Sequence, residues 1–157
     1  LIWIVRISYK NENLDPLGRI LKNDILDLGF LNLESIRSMP TYWIEGETSK
    51  VEIEKICEEL LVDKIIQDYW VNEEKFDWSL GFDWIVEVSF KLGVADPVAD
   101  SVKKGIETLE IFNVKSVKTG VTYLLKGKLS KNDIEIISNK CLANPIIHNY
   151  KITKVMN

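Results

Sequence analysis

Trp3-Ile4-Val5-Arg6-Ile7-Ser8-Tyr9 returns 81 residues later as Trp84-Ile85-Val86-Glu87-Val88-Ser89-Phe90. The shift carries on without a gap. Asp15-Pro16 meets Asp96-Pro97, Thr41-Tyr42 meets Thr122-Tyr123, and Gly46 meets Gly127. Ile65-Ile66 and Tyr69 meet Ile146-Ile147 and Tyr150, and about a third of the overlapped positions are identical. Two copies of one unit are therefore joined head to tail, with a period too long for a solenoid repeat and suited to a small domain. A doubled small domain ordinarily reproduces, in one chain, the two-fold dimer of a single-copy relative. The repeat divides the chain into unit one, residues 1–71, a polar connection broken by Trp78, residues 72–81, and unit two, residues 82–157.

Within each unit the periodicity alternates between strand and helix. Trp3, Val5, Ile7 and Tyr9 share one face of a strand, as do Trp84, Val86, Val88 and Phe90. Asp15 is suited to cap a helix whose first position is Pro16, and Leu17, Leu21, Ile25 and Leu28 mark its stripe up to Gly29. Asp96-Pro97, Val98, Val102, Ile106 and Leu109 repeat that helix. Two short strands are expected next, near 33–39 and 41–46, turning at Met39-Pro40. Their counterparts are 114–119 and 121–127, turning at Thr119-Gly120. Second helices open at Ser49 and Ser130, and last strands run 65–71 and 146–155. The order is β-α-β-β-α-β, a ferredoxin-like α+β plan with helices on one face of an antiparallel sheet.

The face without helices should be polar if it meets water. It is not. Ile4, Trp43, Ile66 and Trp70 in unit one, and Ile85, Leu124 and Ile147 in unit two, place apolar groups there. Burying each such side chain contributes roughly 1.5–3 kcal/mol, more than scattered surface hydrophobes account for. These seven are the candidate contacts between the units or with a partner, packed sheet to sheet or edge to edge as an internal pseudo-dimer. Units of roughly 75 residues bury only about 60% of their unfolded surface, so each is expected to lean on the other.

Composition narrows the function. The chain has 157 residues, a net charge of −4 and no lysine or arginine cluster, so neither nucleic acid nor an anionic membrane is an expected partner. No apolar run is long enough to span a bilayer, and residues 1–9 are too short and too alternating for a signal peptide. Cys57 and Cys141 occupy non-equivalent positions outside any CxxC motif, which fits a reducing, cytoplasmic setting. They fall on apolar helical stripes and read as buried thiols. The one histidine, His148, has Gln67 as its counterpart and reads as a polar strand residue rather than a base. No catalytic or metal-ligating residues are assigned, since no phosphate loop and no metal-spaced Cys/His set occurs.

The motifs of both copies resemble those of the PurS family, the small subunit of phosphoribosylformylglycinamidine synthase. Leu14-Asp15-Pro16-Leu17-Gly18 is similar to the family's Leu-Asp-Pro-x-Gly start of helix one. Ser35-Ile36-Arg37 resembles its Val-x-x-Val-Arg strand. Residues 57–69, from Cys57 to Tyr69, and the closer 141–150, with Asn144, Pro145 and Tyr150, resemble its Cys-x-x-Leu-Leu-x-Asn-x-x-Ile-x-x-Tyr ending. The chain departs from the family's Gly-Lys before strand three, with Met39-Pro40 in one copy and Gly120-Val121 in the other. Ala99 replaces the helix-one glycine of copy two.

The resemblance implies a dimeric or higher assembly and a subunit without catalysis of its own. It would join a PurL-type synthetase to a PurQ-type glutaminase, with ATP, Mg and glutamine used by those partners and no cofactor held here. The tandem copy then reads as a fused dimer. A different class is a tandem ACT-like effector-binding regulator, which shares the element order. It ordinarily places glycine in the first loop, where residues 10–14 have none and Gly93 stands alone in copy two.

Overall fold

The alternation of apolar residues produces strands β1 (Ile2–Tyr9) and β4 (Trp84–Phe90), each followed by a helix, α1 (Pro16–Asp27) and α3 (Pro97–Thr108). Asp15 caps α1 through Gly18 N and Asp96 caps α3 through Ala99 N, each with proline behind it, as the sequence predicts. The structure is a computed structural model and describes residues 1–72 and 77–156.

The expected pair of short strands in each unit is instead one continuous strand, β2 (Leu33–Gly46) or β5 (Val114–Gly127). No turn interrupts Met39-Pro40 or Thr119-Gly120. The physical reason is tertiary pairing. β2 and β5 run antiparallel along their whole lengths, from Leu33↔Gly127 to Gly46↔Val114, and this ladder holds both strands straight through the positions that locally favour a turn. Proline removes a ladder donor and is ordinarily kept to edges. Pro40 stands one residue past the β1 ladder, which ends at Arg6↔Thr41.

Short helices α2 (Lys50–Ile56) and α4 (Lys131–Ile137) follow, each opened by a capping box, Ser49 with Glu52 and Ser130 with Asp133. Each runs on into one π-helical turn, Cys57–Leu61 or Ser138–Leu142. The last strands, β3 (Gln67–Val71) and β6 (His148–Lys154), start later than the sequence suggests. Ile65 and Ile146 lie in the turns before them and are exposed, and Ile66 and Ile147 sit in the same turns. The six strands form one antiparallel sheet in the order β3-β1-β2-β5-β4-β6. The architecture is α+β with two tandem units joined edge to edge, the two middle strands of each unit merged. Of the connection read at 72–81, residues 73–76 lie outside the described residues, and Asp77–Ser79 form a 3-10 turn.

The helices cross the seam. One core packs Leu21 and Ile25 of α1 with Ile134 and Ile137 of α4 over Val86, Val88, Tyr123 and Leu125. The other packs Ile53, Ile56 and Cys57 with Val102 and Ile106 of α3 over Val5, Ile7 and Ile44. Each core thus takes helices from both halves, and neither half owns one.

Candidate functional site

Pro40 faces Val121, its own counterpart, so a local two-fold axis crosses the seam there. Residues related by the axis meet. The Oγ1 atoms of Thr41 and Thr122 share a 2.7 Å hydrogen bond. Arg6 and Glu87, equivalent residues on β1 and β4, form an ion pair with Nη2···Oε1 at 2.6 Å, while Arg6 Nε donates to Thr122 Oγ1 at 3.3 Å. The Arg6 side chain is fully buried and that of Glu87 is 23% exposed. In a dimer of identical chains this position would face its own like charge. Here the two copies have diverged into opposites.

The Asp-Pro pattern repeated in the two copies does more than cap helices. Asp15 accepts from Gly18 N at 2.9 Å, from Ser38 N at 2.7 Å and from Ser38 Oγ at 2.6 Å. Asp96 repeats this with Ala99 N at 3.0 Å, Thr119 N at 2.9 Å and Thr119 Oγ1 at 2.9 Å. Each carboxylate ties a helix start to the middle of a long strand, beside the axis. Burial first, and Asp15 second, push the Tyr123 phenol up to about 12, so it remains protonated opposite Ser38. At the outer ends of the seam, Gly46 lets the Asn113 carbonyl approach closely and Gly127 does the same for Asn32; a side chain at either would strike that carbonyl.

The face opposite the helices holds five of the seven candidate contacts. Ile4 pairs with Trp43 and Ile85 with Leu124, while Trp70 pairs with Arg6. On the seam, Trp43 stands opposite Lys118 and Leu124 opposite Arg37. Trp43 leans on Gly120, whose missing side chain makes room for its ring. Ile66 and Ile147 are set apart in the turns, where their carbonyls accept from Lys10 N and Lys91 N. Met39, Ile85 and Leu124 are covered by Trp78 of the connection and by Phe82 at the start of unit two, with Trp70 at the margin. The Trp78 ring lies 4.3 Å from the Arg6 guanidinium carbon, and Phe82 lies 5.5 Å from that of Arg37.

Pro16 and Pro97 occupy the first helical turns. Gly18 is buried against the Asp15 carboxylate and the Ile36 carbonyl. The family-type endings form matched turns. Asp63 N donates to Gln67 Oε1, and Asn144 N donates to His148 Nδ1, both at 2.9 Å. Burial holds the His148 imidazole below its ordinary value, consistent with a neutral ring accepting that bond. Pro145 lies in this turn, exposed, and Tyr69 and Tyr150 follow on the last strands.

The His148 ring and the Cys57 thiol are engaged in structure, one in its turn and the other in the core. Burial, helped by Glu54 and then Glu58, pushes the Cys57 thiol up to about 12, and burial raises Cys141 as well. Among the described residues no three His, Cys, Asp or Glu side chains converge to hold a metal, and no helix is long and apolar enough to cross a membrane. Sequence reasoning missed Arg6, Glu87, Thr122 and Phe82. The available signal was the opposite charges at positions 6 and 87, each flanked by apolar residues in the repeats.

The family model described as "PurS: Phosphoribosylformylglycinamidine (FGAM) synthase" matches residues 3–75 and again residues 83–156. The chain is also 33% identical, over 78 residues, to the phosphoribosylformylglycinamidine synthase subunit PurS of Methanocaldococcus jannaschii. That match covers 46% of this chain and 94% of the relative.

Proposed function

The chain belongs to the PurS family, once in each half, and on that premise we propose that it is the small subunit of phosphoribosylformylglycinamidine synthase, acting in purine biosynthesis. Its task is assembly. It brings an ATP-using, PurL-type synthetase together with a PurQ-type glutaminase, so that ammonia released from glutamine converts formylglycinamide ribonucleotide to the amidine. ATP, magnesium and glutamine are handled by those partners in the cytoplasm, and this chain contributes no catalytic group.

One observation carries the reading: both halves match the family unit, and the seam welds them into a single pseudo-dimer with shared cores. The engagement of Cys57 and His148 in structure supports a binding role over a chemical one. Reconstitution tests it. The synthetase and glutaminase mixed with this chain are expected to form the amidine from glutamine, whereas the two partners alone should turn over only with added ammonia. Full glutamine-coupled activity without the chain would contradict the proposal.

A further inference from the structure

The axis through Pro40 and Val121 generates two equivalent seats on the open face of the sheet, and the chain treats them differently. The first is built from Arg6, Ser8, Arg37 and Leu124, with Trp70 beside it. Trp78 of the connection sits in it, over Arg6 and against the cavity lined by Ser8, Arg37 and Leu124. The repeat maps these residues onto Glu87, Ser89, Lys118, Trp43 and Lys151. Those residues, with Asn149 and Tyr150, line a second, shallow cavity of about 220 Å³. Arg37 and Trp70 are half-buried, whereas their equivalents Lys118 and Lys151 are exposed. Among the described residues, one seat is filled from within the chain and its twin is open.

The open seat has a definite chemistry. Glu87 is already neutralised by Arg6, so Lys118 and Lys151 leave a local positive charge around the half-buried Trp43 ring. Lys118 holds its ammonium 5.5 Å from that ring. The filled seat holds aromatic rings over cations, Trp78 over Arg6 and Phe82 over Arg37, and the two lysines of the open seat call for acidic groups beside such a ring. We infer that the open seat docks an acidic, aromatic-bearing segment of one of the other synthase subunits, and that each chain offers one such seat. The inference rests on the synthase reading. An aromatic anchor flanked by complementary charge is the composition that carries binding energy at protein interfaces.

The test uses the full chain and the other synthase subunits. Lys118→Glu/Lys151→Glu should leave the melting temperature of the isolated chain near that of the wild type, since both side chains are exposed. It should weaken assembly by about tenfold or more, with the wild-type affinity falling as salt rises. Lys104→Glu/Lys131→Glu, on the helices, should assemble as the wild type does. A folded seat variant that assembles with undiminished affinity overturns the inference and leaves the synthase reading standing. A wild-type chain that fails to assemble at all removes both. Sedimentation of the chain alone is expected to show single copies. Self-association abolished by the seat variant would give the seat to a second copy and overturn the assignment to another subunit.

Discussion

The two halves of this molecule share a backbone plan and differ where they touch. At the axis, position 6 is arginine and its equivalent, position 87, is glutamate; on the open face, Arg37 and Trp70 correspond to Lys118 and Lys151. Two identical chains cannot make the first difference, because a two-fold axis would oppose Arg6 to Arg6. Covalent linkage removes that restriction. The halves can then specialise: among the described residues, one seat of the sheet is closed by Trp78 and Phe82 while the other stays open. A buried ion pair is weak evidence of stability but an effective device for specifying one arrangement over another. Arg6 and Glu87 are complementary only across unlike halves.

The largest effect comes from cutting the comparison apart. Fragments 1–72 and 77–157, produced singly, should be unfolded by circular dichroism, since each lacks one of the two helices that close the core over its strands. Mixed, they should regain helical signal together. Next is the axis itself. Glu87→Gln removes the carboxylate from a fully buried guanidinium and should cost about 2–4 kcal/mol in urea unfolding, less than for a sealed pair because Glu87 is 23% exposed. Exchanging the charges, Arg6→Glu with Glu87→Arg, should restore only part of this. The exchange takes the cation from beneath Trp78.

Asp15→Ala and Asp96→Ala compare equivalent carboxylates. Each loses a cap and the bonds to Ser38 or Thr119, an expected cost of about 2–3 kcal/mol. Asp15 should prove the more costly, because its contacts are buried whereas those of Asp96 are partly exposed.

The smallest effect separates Gln67 from His148, which bond equivalent turns. The folded chain takes up the His148 proton less readily than the unfolded chain does. Stability from this residue is therefore complete above the unfolded value, about 6.5, and declines as pH falls through it toward the lower folded one. His148→Gln should keep the turn and flatten that part of the pH profile. An unchanged profile would remove the assigned role.

Much of this was legible in the sequence because the repeat states every local rule twice. Asp15-Pro16 and Asp96-Pro97 announced helix starts, and Ser49 and Ser130 announced the second ones. The apolar residues on both faces of the strands signalled a second contact surface. The turns expected at Met39-Pro40 and Thr119-Gly120 failed because local preference there is overridden by the partner strand of the other half, which no local window contains. The exchange of helices between cores was hidden for the same reason. Leu21 and Ile134 are plain stripe residues until the seam brings α1 beside α4. Of the seven apolar contact candidates, Trp43 and Leu124 stand on the seam strands, while Ile66 and Ile147 lie in turns. Alternation assigns a face and cannot find the end of a strand.

Cooperativity tests the shared cores most directly. Urea unfolding of the whole chain can be followed by hydrogen exchange at amides of β1 and β6, which lie in different halves and different cores. A single transition with one midpoint at both strands is the expected result. Two separated transitions, one for each half, would show that the halves fold independently and would contradict the account.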